Sequence, residues 1–204
     1  MSTVKKERCS WCGSDPLYVQ YHDEEWGVPV TNEQAIFERL MLEGMQAGLS
    51  WLTVLRKRER MQERFFEFDI DRLARASSRN VTSWLKDAGL IRHRGKLEAL
   101  ISNAKITRSL DNGLAETLWA FVDFAPQVNQ PEALGDVPSK TDAAQAMSKA
   151  LKGRGYKFVG PTICYAFMQS AGLVNDHFVS CHRHQPCTRL GQGLNPQHFP
   201  LGQS

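Results

Sequence analysis

Two pairs of soft metal ligands stand at opposite ends of this chain, Cys9 with His22 and His177 with Cys181. A site that used all four would close the chain back on its own beginning, and no other feature restricts the fold as much. Each pair sits in a polar, aromatic-containing stretch, CSWCGSDPLYVQYHDEEWG and GLVNDHFVSCHRH. His177 and Cys181 are separated by three residues, which one helical turn would place on one face. Two thiolates and two imidazoles are a set that Zn2+ accepts in closed structural sites. The expectation is one structural Zn2+ that holds the fold, with the chemistry elsewhere. Spacing alone leaves the membership open. Cys9 and Cys12 form a C-x-x-C, and His182, His184 and Cys187 crowd the second pair. The plain alternative is surface histidines and buried or free thiols.

Five cysteines in 204 residues is an odd and low count, which argues against a disulfide framework. The N-terminal MSTVKKERC carries charge with no apolar run after it, and no stretch reads as a membrane span. A reducing cytoplasm is the expected compartment, with no membrane partner. Hydrophobic content of 42% and charged content of 23% describe an ordinary globular protein with one core, or two small lobes sharing one. A net charge of +3 is too small to argue for nucleic acid by itself. Its distribution says more: IRHRGK at 91–96 and the cations Lys149, Lys152, Arg154 and Lys157 form local basic clusters, although such clusters are commonly just solvated faces. The final TRLGQGLNPQHFPLGQS is rich in Gly, Gln and Pro. The expected organisation is a single unit over 1–187 and a loose tail over 188–204.

The periodicity is helical nearly throughout, so the fold class is all-α. Thr31 with Gln34 reads as a capping box, followed by an apolar stripe of Ile36, Phe37, Leu40 and Met41. A second helix starts after Ser50, burying Leu52, Val54, Leu55 and Met61. Ser78 caps a short helix bearing Val81, Trp84 and Leu85, which Gly89 stops. Residues 94–110 form a long amphipathic helix with Leu97, Leu100, Ile101 and Ala104 on one face. A short helix follows from Leu114 to Phe121, and another from Thr141 to Gly153.

The sharpest local signal is KALKGRGYKFVGPTICYAFMQSAGLVND, a helix, a Gly-bearing turn, and a helix opened by Pro161. Proline in the first helical position costs no hydrogen bond, and Gly160 before it permits a tight turn. The N–H groups exposed there, with Lys157 nearby, make an anion site that could grip a nucleic-acid phosphate without reading sequence. An ordinary helix–helix corner is the competing reading. A third constellation joins DPLYVQYHDEEWG with MLEGMQAGLSW. Glu43 lies in an apolar helix, with Tyr18, Tyr21, Trp26 and Trp51 available to stack on a flat, electron-poor ring. A buried carboxylate would be costly unless paired, and the bland reading is a solvent-facing Glu beside core aromatics.

The runs DPLYVQYHDEEWGVP, LEGMQAGLSWLTVLRKRE, DAGLIRHRGK, MSKALKGRG and YKFVGPTICYAFMQSAGLVNDH, with the paired end-ligands, closely resemble the bacterial constitutive 3-methyladenine DNA glycosylases of type I. The resemblance covers roughly residues 7–182. It implies the helix-hairpin-helix DNA glycosylase fold, the hairpin lying near 149–172, with a structural zinc joining the N- and C-terminal regions.

Residue by residue, the resemblance assigns Cys9, His22, His177 and Cys181 to zinc and leaves Cys12, His182, His184 and Cys187 without a role. Glu43 corresponds to the carboxylate that reads the extruded base and is the one catalytic candidate. Tyr18, Tyr21 and Trp51 correspond to the aromatic residues around it, with Trp11 as a further wall. Gly48 and Leu49 correspond to the loop that fills the gap left in the DNA stack, where an apolar wedge is needed. Lys157 to Thr162, including Val159 and Gly160, corresponds to the phosphate-gripping hairpin. Thr162 stands where lyase-active relatives of the wider superfamily carry a nucleophilic Lys. Asn175, with Asp176 beside it, stands where most carry a catalytic Asp. Methylation at N3 makes adenine cationic and weakens its glycosidic bond, so no general acid is needed. The implied activity is that of a monofunctional, monomeric glycosylase acting on alkylated double-stranded DNA, releasing 3-methyladenine and leaving an abasic site. Two alternatives stand beside it: a non-catalytic damage-sensing module, and a zinc hydrolase using Asp23 or Asp176. A closed four-ligand site argues against the hydrolase, because it leaves no position for water.

Overall fold

The computed structural model of the protein describes residues 6–194. Among the described residues there are ten α-helices: α1 Pro16–Glu24, α2 Glu33–Gln46, α3 Trp51–Arg64, α4 Ile70–Ala74, α5 Ser78–Trp84, α6 Arg94–Arg108, α7 Gly113–Trp119, α8 Asp142–Gly153, α9 Pro161–Ser170 and α10 His184–Gln192. The only strands among the described residues are β1, Gln127–Val128, and β2, Val174–Asn175, which form a two-residue parallel bridge. That bridge ties the chain after α7 to the segment after α9.

The helix starts show why the periodic segments fold where they do. Ser50 caps α3 by accepting from the Thr53 amide at 3.2 Å, and Thr141 caps α8 by accepting from Ala144 at 3.2 Å, both as expected. Two starts lie one residue from the expected cap. Asn32, not Thr31, caps α2, and Ser77 with Asn80, not Ser78, opens α5. In each case the neighbour is an equally good acceptor, so sequence leaves the choice to backbone geometry.

Helix α2 is the central element, packed by α3, α6, α7 and α9. Residues Leu40 to Met45 are buried without a break, so the helix is enclosed on every side in its last turns. Ile36, Phe37 and Leu40 of α2 meet Leu97, Leu100 and Ala104 of α6, and Phe167 and Met168 of α9, in the main apolar cluster. A second, smaller cluster gathers Cys9, Tyr21, Trp26, Leu55, Phe178 and Cys181, with Trp11, Tyr18 and Trp51 against it. It joins the two chain ends, and the site lies beside it.

Two helices carry no apolar stripe. Helix α1 buries Tyr21 and His22, and α10 buries His184, Cys187 and Gly191 at helical spacing, so polar or small residues face inward. Helix α4 is a single short turn capped by Asp69. Helix α10 extends order to Gln192, past residue 188 where the loose tail is expected to begin, and Gly191 fits against the Pro126 ring, which an added Cβ would meet at 2.8 Å. The remainder of that tail, 195–204, lies outside the described residues.

Candidate active site and metal cluster

Cys9, His22, His177 and Cys181 come together, and their ligand atoms all lie within 4.8 Å of one another. Cys9 Sγ is 3.6 Å from His177 Nδ1, and Cys181 Sγ is 3.5 Å from His22 Nε2 and 3.6 Å from His177 Nδ1. Ligand bonds of about 2.3 Å to sulfur and 2.0 Å to nitrogen, set tetrahedrally, need separations near 3.5 Å. The spacing therefore fits one small dication. His177 and Cys181 reach the cluster through a turn rather than the expected helical turn, since the Cys181 amide bonds back to the Phe178 carbonyl at 2.8 Å.

The outer atoms of the cluster are held as metal-ligating histidines require. His22 Nδ1 lies 2.8 Å from Asp23 Oδ1, and His177 Nε2 lies 3.0 Å from the Trp26 carbonyl. Against the cost of burial, the Arg8 guanidinium and the His22 ring hold the Asp23 carboxyl down at about 2. The two sulfurs titrate against each other. Their mutual contact pulls the Cys181 thiol down and pushes the Cys9 thiol up, a conflict that a dication between them removes. Cys12, Cys187, His182 and His184 stay outside. His184 Nε2 bonds the Asn129 carbonyl, and His182 Nδ1 the Glu7 carbonyl.

Beside the cluster opens a cavity of about 310 Å³, within the range of small-molecule pockets. Trp11, Tyr18, Tyr21, Glu43 and Trp51, all expected at a base site, line it together. Trp26, Tyr165 and Gln169 also line it, with Leu134 and Pro138 from the chain between β1 and α8. Tyr21 and Trp51 pack with centroids 5.2 Å apart, and Trp11 lies 4.7 Å from Trp26. The cluster props this wall: Trp11 touches the His22 ring at 5.2 Å, and Trp26 the His177 ring at 4.6 Å.

Glu43 is 3% exposed, and its Oε2 has no hydrogen-bond partner among the described residues. Burial pushes its carboxyl up to about 8, opposed by the Ser170 hydroxyl and the Arg39 guanidinium. Trp51 Nε1 is likewise buried and unpartnered. An unsatisfied acceptor and an unsatisfied donor thus face one aromatic cavity, which points to a planar polar ligand.

Asn175 and Asp176 are both engaged in buried hydrogen bonds. Asn175 bonds the His184 carbonyl, Thr188 and the His177 amide. Asp176 accepts from Asn129, Tyr165 and Gln169 at 2.6 to 2.7 Å, so it braces the cavity wall from behind.

Two further elements reach solvent at one end of α2. Gly48, with φ +77°, and Leu49, 42% exposed, form the tip between α2 and α3. The α8–α9 connection presents Lys157 and Thr162 outward, whereas Val159 is buried and accepts from the Ser148 hydroxyl through its carbonyl. The tight turn is not made by Gly160, which has an ordinary φ of −64°. Gly155, at φ +94°, and Phe158, at φ +58°, carry that burden, and an added Cβ at Gly160 would meet nothing within 4 Å. Thr162 lines the cavity as well. Lys96, expected in the basic cluster at 91–96, is instead buried.

A model of the methyladenine glycosylases matches residues 11–184. The chain belongs to the methyladenine glycosylase family. It is 52% identical over 178 residues to the DNA-3-methyladenine glycosylase 1 of Escherichia coli, covering 86% of this chain and 95% of that protein. A crystal structure of 3-methyladenine DNA glycosylase I, at 50% identity, superposes with a TM-score of 0.85 over 87% of this chain and 100% of the other. The Staphylococcus aureus 3-methyladenine DNA glycosylase I, whose structure describes 3-methyladenine recognition, is 34% identical at a TM-score of 0.82 over 87% of this chain and 96% of its own. The glycosylase match contains the whole cavity lining and three of the cluster residues, with Cys9 just before it.

Sequence reasoning missed Tyr165 and Gln169 in the glycosylase cavity. Both lie on α9 beyond the α8–α9 turn, on the face that α9 turns toward Glu43, and their signal was hidden in an otherwise apolar helix. No helix among the described residues is long and apolar enough to cross a membrane.

Proposed function

We propose that this protein is a monofunctional DNA glycosylase that extrudes 3-methyladenine from alkylated duplex DNA and hydrolyses its glycosidic bond, leaving an abasic site. The observation that carries the reading is the buried Glu43 carboxyl, unpartnered at Oε2, in a cavity walled by Trp11, Tyr18, Tyr21, Trp26 and Trp51. A methylated adenine brings a delocalised positive charge and an exocyclic amino donor. The aromatic faces stack on the cation, and the carboxylate accepts from the amino group. Normal adenine brings the donor without the charge, so it does not repay the ionisation of a carboxyl held near 8.

Leu49 is the wedge that fills the gap left by the extruded base. The amides at the start of α9 and the Lys157 ammonium grip a backbone phosphate as a helix-hairpin-helix does. Cys9, His22, His177 and Cys181 hold one structural Zn2+, which supplies a cross-link between the chain ends and no open position for water. Thr162 at the lyase position offers no amine, which supports hydrolysis without a covalent intermediate.

The test is base release from methylated duplex. Free 3-methyladenine and an intact strand bearing an abasic site are expected, with no borohydride-trapped adduct. Tight binding to the lesion without release would make the protein a damage sensor. A trapped adduct would overturn monofunctionality.

A further inference from the structure

Helix α6 buries three polar side chains, Lys96, Asn103 and Thr107, and the first two tie down the two loops assigned above to DNA. Lys96 and Asn103 lie seven residues apart, two helical turns or about 10 Å of rise. Lys96 is 5% exposed, and its Nζ donates to the Met45 carbonyl at 2.9 Å and the Ala47 carbonyl at 2.5 Å. Those carbonyls close α2 and lead directly into Gly48 and Leu49. The amine makes no ion pair among the described residues, and burial holds it below its ordinary value. Asn103 is 1% exposed and clamps the α8–α9 turn at one residue. Its Oδ1 accepts from the Lys157 amide and its Nδ2 donates to the Lys157 carbonyl, both at 3.0 Å, as a neighbouring strand would. The same Nδ2 lies 3.5 Å from Met41 Sδ on α2. The three elements meet closely, since a Cβ added to Gly44 would lie 3.3 Å from both the Cβ and the carbonyl oxygen of Phe158.

We infer that Lys96 and Asn103 are positioning residues for duplex binding, which hold the Gly48–Leu49 tip and the Lys157–Thr162 turn at a fixed separation. A duplex presents its stack and its phosphates at set distances. Two loops already spaced to match bind without ordering cost, and loops free to drift do not. An apolar pair would fill this space more cheaply than a lysine without a carboxylate. What the polar pair adds is direction: each side chain fixes backbone carbonyl or amide groups of one loop. Glu43 lies on the preceding stretch of α2 and makes no hydrogen bond to either residue, so recognition of the base itself does not depend on them. The inference rests on the assignment of both loops to DNA.

The experiment uses Lys96→Met and Asn103→Leu, singly and together, at a temperature where each is folded. It reads KM and kcat on lesion duplex alongside the Kd for free 3-methyladenine. Each single variant is expected to raise duplex KM about tenfold, the loss of bonds to buried carbonyl or amide groups, with the free-base Kd changed less than about twofold. Where either fails to fold, Lys96→Gln and Asn103→Ser keep a donor in place and carry the same readouts. Unchanged duplex KM overturns the inference, and so does a parallel loss of free-base binding, which marks a merely structural role. Leu49→Ala and Gly160→Val serve as controls for the loop assignment. If they raise KM while the α6 variants do not, the inference alone fails. If they too leave KM unchanged, the loop assignment fails and the inference with it.

Discussion

Glu43 and Trp51 face the same cavity, and each holds one buried polar atom, Oε2 and Nε1, that has no partner among the described residues. One is an acceptor and the other a donor. Such atoms cost stability in the ligand-free protein and recover it when a ligand supplies the missing bonds. The pair is a site prepared at the expense of the fold.

That expense is measurable. Burial raises the Glu43 carboxyl from 4.5 to about 8, so its contribution to stability is complete below pH 4.5 and is lost progressively as pH rises to 8. Glu43→Gln removes the titration and is expected to be the more stable protein at pH 7, by on the order of 3 kcal/mol. Denaturant unfolding of both proteins at several pH values checks this. Parallel stability curves between pH 5 and 8 would remove Glu43 from its buried position.

The same titration governs lesion binding with the opposite sense. Binding a cationic base requires the ionised carboxylate, so below about 8 each binding event releases a proton. Affinity for duplex containing 3-methyladenine is expected to rise with pH toward 8, by at most about tenfold per unit, and Glu43→Gln is expected to flatten the profile. Undamaged duplex serves as the control for general phosphate binding.

Metal content tests the closure of the chain ends. Purified protein is expected to hold one zinc per chain, and Cys181→Ser to lower Tm more than it lowers activity per folded molecule. Chelation should also weaken free-base binding, because Trp11 and Trp26 lean on the His22 and His177 rings. Equal Tm with and without metal would overturn the structural role.

Gly160→Val separates access from conformation. The residue has an ordinary φ, and an added Cβ meets nothing within 4 Å, so Tm is expected to hold. Its side chain would stand where the phosphate approaches, and binding is expected to weaken equally on all duplex sequences. A normal Kd would make the turn a structural corner only.

The legible parts of this chain are those whose periodicity is apolar. Helices α2, α3, α6 and α8 announce themselves because Leu, Ile, Phe and Met recur at helical spacing and capping side chains mark their starts. Helices α1 and α10 do not, because what they bury is His22, Tyr21, His184, Cys187 and Gly191. The cavity residues on the N-terminal half were readable from aromatic content and family resemblance. Tyr165, Gln169 and Asp176 were not, since their roles depend on how α9 and the segment after it turn. Lys96 was misread for the same reason: a cation in a basic run carries no sign that its amine is folded under a helix end.

The most direct test of the account is calorimetric titration of free 3-methyladenine into the wild-type protein, Glu43→Gln and Trp51→Ala. In the wild type the Glu43 carboxylate accepts from the exocyclic amino group of the base, a charge-assisted bond that an amide cannot match. Glu43→Gln is therefore expected to lose about 1–3 kcal/mol of affinity. Trp51→Ala is expected to lose a similar amount, about 1–3 kcal/mol, through stacking. Full affinity in Glu43→Gln would contradict the account and leave the aromatic residues as the only readers of the base.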